Sequence, residues 1–240
     1  MGIMGVFWFK GKSCAEFGIH VSEYPDQNSP ERNVTILEIP GRNGTLTIDN
    51  GNFKNITRTY STYFNAVRSG TPASSRAIKE WLLIEPGYHR LTDEYEPDYF
   101  RLARFTGPLN IDSFFDLYGR CDISFDCAPQ KYRFSGQESK PILTTGQRLN
   151  NPEAFPSKPI ITIYGKGDGT LLCGNQIIKI TGIDEYITLD SETQNAYKGL
   201  KNQNTSIDLA VFPELAPGDT AFSWTGGITK IEVTPRWWTI

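Results

Sequence analysis

Four carboxylates crowd one short stretch of the chain: Asp93, Glu94, Glu96 and Asp98 in LTDEYEPDYF. Two acids held roughly 5–9 Å apart across a cleft can hydrolyse glycosides, and clustered carboxylate oxygens can bind calcium. The stretch lacks the Asp-x-Asp-x-Asp-Gly ligand pattern, and charge-dense loops are ordinarily just solvated, so it reads as a polar loop. GKGDGT at 165–170 reads as a tight turn for the same reason. His20 and His89 lie far apart, and neither adjoins a GxSxG or CGSCW nucleophile motif. Cys121 and Cys127 share one expected strand, where six residues place them roughly 20 Å apart, too far for a disulfide. With no CxxC pair and two histidines, neither a zinc site nor any other cofactor is expected. The expectation is a protein that is not an enzyme.

Residues 39–49 read IPGRNGTLTID, a glycine-flanked Arg-Asn pair between two apolar stretches. A phosphate cradle needs backbone amides converging at a helix N-terminus, usually with a GKS or GKT sequence. Here the flanking periodicity is two, so Pro40, Gly41, Arg42, Asn43 and Gly44 read as the tip of a β-hairpin able to touch a protein neighbour. The terminus EVTPRWWTI sets Trp237 beside Trp238, and adjacent strand residues face opposite ways. One ring can enter a core while the other meets a surface or partner. Exposed aromatic rings on a β-sandwich also stack on sugars, so Trp224, Trp237 and Trp238 stand as candidate contact residues.

These residues need strands to carry them. Residues 118–127 alternate strictly, with Cys121, Ile123, Phe125 and Cys127 on one face and Arg120, Asp122, Ser124 and Asp126 on the other. The cysteines act there as small core fillers. Residues 34–39 and 45–49 form the hairpin, and 56–62 are expected to continue it as a meander; 99–106 is a further strand. One helix is expected near 72–85, with Thr71 as N-cap, Pro72 at the first helical position and Pro86-Gly87 as the stop. The span 134–159 is rich in turn formers and reads as a crossover between domains at 1–134 and 135–240. Beyond it seven short strands are expected, at 160–164, 170–173, 176–180, 186–190, 206–209, 220–224 and 228–233, separated by turns such as GKGDG, GN and TGG. The expected fold class is mainly β: an N-terminal β-domain with one packed helix, then a jelly-roll β-sandwich.

Composition agrees. The 240 residues include 22 glycines and 15 prolines, aromatics make up 12%, and the net charge is −3. A protein that grips nucleic acid ordinarily carries a basic surplus. No apolar run approaches the ~20 residues that span a bilayer. The first residues show no signal peptide, and Val6 stands where a myristoylation motif wants Ser or Thr. The sequons at Asn33, Asn43, Asn55 and Asn204 read as chance matches.

Taken in order, FKGKSCAEFGIHV, IPGRNGTLTI, AIKEWLL, ISFDCAPQKYRF, NPEAFPSKPIITIYGKGDGTL, YITLDSETQNAYKG, FPELAPGDTAFSW and IEVTPRWWTI form a series from about residue 8 to the end. The series resembles the distal tail protein (Dit) family of long, non-contractile-tailed bacteriophages and prophages of Gram-positive hosts. The Pro-Gly-Arg-Asn-Gly tip, Asp190-Ser191-Glu192 and Pro235-Arg236-Trp237-Trp238 carry most of the likeness. Many relatives have Cys-Lys-Pro where this chain has Cys127-Ala128-Pro129. The resemblance implies an N-terminal domain that forms a hexameric ring and a galectin-like sandwich outside it. It implies a virion structural protein of the tail tip, assembled in the host cytoplasm. Its implied partners are copies of itself, the tail tube protein, the tape measure protein, the tail-associated hub (lysin) protein and receptor-binding proteins, with DNA passing through the channel and no membrane partner. A glycan-binding module of the tail tip is the alternative.

Overall fold

The computed structural model describes residues 5–65, 71–114 and 118–240. The chain divides into two compact units, the first ending at Lys131 and the second beginning at Tyr132. Both are built chiefly of strands, and one α-helix appears among the described residues.

The first unit holds β1 (Phe7–Phe9), β2 (Lys12–Ser13), β3 (Ile19–Val21), β4 (Arg32–Glu38), β5 (Thr45–Phe53), β6 (Ile56–Asn65), α1 (Thr71–Leu83), β7 (His89–Asp93), β8 (Tyr99–Arg104), β9 (Asp112–Phe114) and β10 (Tyr118–Arg133). Its main sheet runs β2-β1-β7-β8-β10-β6-β3, with β9 beside β10. A bridge from Gly5 to Val21 links the lead-in of β1 to β3, so the sheet curls towards closure around its core. Alternation fills that core: Phe7 and Phe9 flank the outward Trp8, and Cys121, Ile123, Phe125 and Cys127 are buried from β10. Phe7 stacks on Tyr60 at 4.6 Å and Phe9 meets Phe125 at 4.7 Å. Helix α1 lays Ile78, Trp81 and Leu82 into the same cluster, and Trp81 Nε1 donates to the Phe9 carbonyl. Lys10 Nζ reaches the Trp81 and Leu82 carbonyls at 3.2 and 3.4 Å, placing a cation at the helix C-terminus where free carbonyls and the helix dipole favour one. The residues preceding Thr71, and the side chains of Thr71 and Pro72, lie outside the described residues, and so does any capping contact they make.

Two expectations need correction here. The meander does not form: β6 pairs with β10 and β3, while β4 and β5 make a separate two-stranded sheet. The strand expected to end at residue 127 continues to Arg133, because Pro129 lacks only an amide donor and the extended path survives it.

The second unit holds β11 (Lys140–Ile142), β12 (Arg148–Asn151), β13 (Ile160–Cys173), β14 (Gln176–Asp190), β15 (Asn195–Lys198), β16 (Lys201–Asn202), β17 (Ile207–Asp208), β18 (Gly218–Thr234) and β19 (Trp238–Thr239). The 134–159 span is not a bare crossover, since β11 and β12 within it both pair with β18. Six of the seven expected short strands fuse into three long ones. Only the Gly174-Asn175 turn separates strands as expected; GKGDG and TGG lie inside β13 and β18.

Those glycines line up across the sheet. Gly165 pairs with Ile228, Gly167 with Ile183 and Gly169 with Gly226, and the register shifts at each crossing of the seam. The side-chain parity flips there too: Thr220 and Phe222 point inward before it, Ile231 and Val233 after it. Beyond the seam one half of the sheet carries β12 and β17, and the other carries β11, β15 and β16. Ile161, Ile163, Leu171, Cys173, Phe222 and Val233 nonetheless share one core cluster. The sheet therefore doubles over along the glycines, and its two halves are the two layers of a β-sandwich.

Candidate functional site

The residues 39–44 tip sits at the end of an exposed ribbon. β4 and β5 pair in the register Val34–Asp49, Thr35–Ile48, Ile36–Thr47, Leu37–Leu46 and Glu38–Thr45. Gly41 and Gly44 take φ of +79° and +83°, which a side chain would oppose, and the Arg42 amide closes the turn on the Ile39 carbonyl. Nine residues of β5 at about 3.3 Å each make an arm roughly 30 Å long.

Residues opposite each other share a face, so Leu37, Leu46 and Ile48 stand together on one side. Each is 40–45% exposed, and Ile36 on the other face is 61% exposed. Nearer the base the first face turns polar: Asn50 Nδ2 donates to Asn33 Oδ1 and Thr35 Oγ1. Arg32 is paired with Asp49 at 2.8 Å and Lys54 with Glu31 at 3.1 Å. The base is thus stiffened by polar contacts while the outer half offers aliphatic surface. A lone two-stranded ribbon is marginal in water, and its apolar face needs something to cover it.

The other candidate residues are structural. Asp93 is buried; its Oδ2 accepts from Arg58 Nη2 (3.0 Å) and Tyr60 Oη (2.6 Å), and its Oδ1 accepts from the Tyr95 and Glu96 amides. Glu94 Oε2 accepts from the Val6 amide. Glu96 is paired with Lys131 and Arg101. Asp93, Glu94 and Glu96 thus hold a turn together, each engaged by cations, a hydroxyl or backbone amides. Among the described residues no three His, Cys, Asp or Glu side chains gather as a metal site. Trp237 is 5% exposed, Trp238 stacks on Phe155 at 4.5 Å and donates to the Pro156 carbonyl, and Trp224 packs on the sandwich core. The three rings do not form one open platform.

The structure joins two stretches that sequence spacing leaves 46 residues apart. Arg236 donates to both Asp190 oxygens, at 2.6 and 3.2 Å, and reaches Glu192 at 3.3 Å. Burial is the largest single influence on the Asp190 carboxyl and would raise it, but the Arg236 hydrogen bond and charge together with the Glu192 and Thr193 amides hold the group below its usual range. Arg236 adopts φ +57°, its amide donates to Gly136 O, and a side chain at Gly136 would strike the Trp237 amide. This latch ties the Pro235–Trp237 segment to the turn after β14. Its signals in the sequence were Arg236 beside Trp237-Trp238 and the Asp190-Ser191-Glu192 stretch, though nothing there paired them.

All four cysteines are buried free thiols. Burial pushes Cys14 up to about 11 and Cys127 and Cys173 up to about 12. Native protein at pH 8 is therefore expected to leave all four unreactive to Ellman's reagent, with four equivalents released in guanidinium. Because unfolded thiols ionise first, stability is complete below about pH 8.5 and falls as pH rises towards the folded values.

No protein-family model matches the chain, and no curated protein matches it. Among solved structures it is similar to the SPP1 Dit (gp 19.1) protein, described as a paradigm of the hub adsorption apparatus in phages infecting Gram-positive hosts. The TM-score is 0.76 with 12% sequence identity, over 99% of this chain and 100% of that one. The chain thus has the Dit fold from end to end. No described helix is long and apolar enough to cross a membrane.

Proposed function

We propose that this chain is a distal tail protein of a bacteriophage or prophage, a non-enzymatic hub that joins the tail tube to the tail tip. The observation that carries the reading is the whole-chain fold match to SPP1 Dit, both units included. The exposed arm adds a mechanism. It reaches from one copy to the next, buries Leu37, Leu46 and Ile48 against that neighbour, and so closes a hexameric ring through a repeated head-to-tail contact. Tip residues Pro40–Gly44 supply the outermost contacts. The ring leaves a channel for DNA, and a net charge of −3 suits a passage that must not trap a polyanion. The tube, tape measure, tail-associated hub and receptor-binding proteins are the partners of such a ring, and the virion tail tip is its place. The glycan-binding alternative is not favoured, since the rings it would use are engaged within the sandwich.

Mass photometry tests this directly. The full chain, alone or with tail tube and hub subunits, is expected as particles near 160 kDa, six times 27.0 kDa. Leu37→Asp with Leu46→Asp is expected to weaken assembly at least ~100-fold while leaving the fold intact, since charge on two buried anchors costs several kcal/mol. A wild-type chain that stays monomeric with every tail partner, or a ring indifferent to the arm variant, would sink the proposal.

A further inference from the structure

Behind the β7–β8 turn lies a group of charges that the proposed arm contact does not involve. Arg58 from β6, Arg101 from β8 and Lys131 from β10 are three cations; Asp93 and Glu96 are two carboxylates. Arg58, Arg101 and Asp93 are each less than a tenth exposed, and Lys131 and Glu96 are mostly covered. Asp93 is saturated by its four donors and has no lone pair left for Arg101. Glu96 hydrogen-bonds Lys131 but lies 3.7 Å from Arg101 Nη2, too far for a hydrogen bond. Arg101 Nη1 is buried and meets no acceptor among the described residues, and Arg58 Nε is in the same condition. A crevice of about 10 Å³ opens beside Arg101, its polar walls supplied by Tyr60, Asp93, Glu96, Tyr99 and Lys131. That is room for one water-sized or halide-sized body.

We propose that this crevice binds a small monovalent anion, chloride in solution, held by Arg101 Nη1 with the Lys131 ammonium at its rim. The choice of an anion over water rests on the charge count. Three cations face two carboxylates, and a buried uncompensated guanidinium is among the costliest groups a fold can carry. Water satisfies the orphan donor but leaves the extra charge; a halide does both. The carboxylates nearby do not repel it decisively, because each is already committed to its own cation. Burial lowers the Arg101 pKa, in keeping with a guanidinium short of negative partners.

Thermal unfolding of the full chain separates this from general screening. Chloride and bromide are compared with gluconate at matched ionic strength, where non-specific salt effects are equal. The halides are expected to raise Tm saturably by several degrees, and gluconate is not. Lys131→Met is expected to move the halide midpoint roughly tenfold higher, as loss of one charge-assisted contact would. A bromide-soaked crystal is expected to show an anomalous peak within hydrogen-bonding distance of Arg101 Nη1, a readout that needs no variant to fold. Identical melting in chloride and gluconate, a water in place of bromide, or a bromide peak with no effect in solution (an adventitious ion only) each overturns the site. None of these outcomes depends on whether the chain assembles into rings.

Discussion

Gly227→Ala is expected to unfold the C-terminal unit. A Cβ at this position would lie 1.8 Å from the Lys166 carbonyl oxygen and 2.8 Å from its carbon, and Asp168 O would be 3.3 Å away. Those atoms are backbone in the neighbouring bent strand, so no rotamer change relieves the clash. β13 and β18 would have to part at the seam where the sheet doubles over, and the shared core of Ile161, Leu171, Phe222 and Val233 depends on that fold. Losses above about 4 kcal/mol are expected, at the severe end for single substitutions. Gly182→Ala is the control: its φ of +67° makes alanine strained, but a Cβ there meets open space. It should cost only about 1–2 kcal/mol. Chemical denaturation of both variants checks the contrast, and equal losses would show that crowding at the seam is not what the glycine relieves.

Asp93→Ala is expected to cost the N-terminal unit about 3–5 kcal/mol, the range found when one member of a buried ion pair is removed. The substitution strands Arg58, whose side chain is 2% exposed, and frees the Tyr60 hydroxyl and two turn amides. Burial, the largest cause holding Tyr60 above its usual pKa, persists in the variant and opposes a tyrosinate in place of the lost carboxylate. The double variant Arg58→Met, Asp93→Leu removes both charges and is expected to recover a large part of the loss. Unfolding curves of the two single variants and the double variant decide it; additive losses would mean the pair is not coupled.

Much of this architecture can be read from local pattern. The alternation at 118–127 marks β10, and the glycines and asparagine at 41–44 mark the hairpin tip, because both signals are short-range. The sandwich bends are not legible, since GKGDG and TGG look like turns whether the chain reverses or merely kinks. Register across strands, which only the folded sheet supplies, distinguishes the two. The acids at 93–98 mislead for a related reason: a charge-dense stretch looks solvated. One clue was available, for Leu91 and Asp93 share strand parity, so a buried Leu91 brings Asp93 to the same face. At the arm, apolar residues on both faces of β4 and β5 suggest burial from both sides. The single chain does not provide it: Ile36, Leu37, Leu46 and Ile48 stay 40–61% exposed.

Among the described residues, each strand of the arm is paired along one side only. Its two outer margins therefore present bare peptide groups beside aliphatic surface, the combination that lets free ribbons zip to one another. Arg32, Glu38 and Asp49 act as gatekeepers against this. If the ribbon connects copies as proposed, the same surface is also an off-pathway hazard in a crowded cytosol. Yield should fall with the time newly made chains wait before engaging a neighbour.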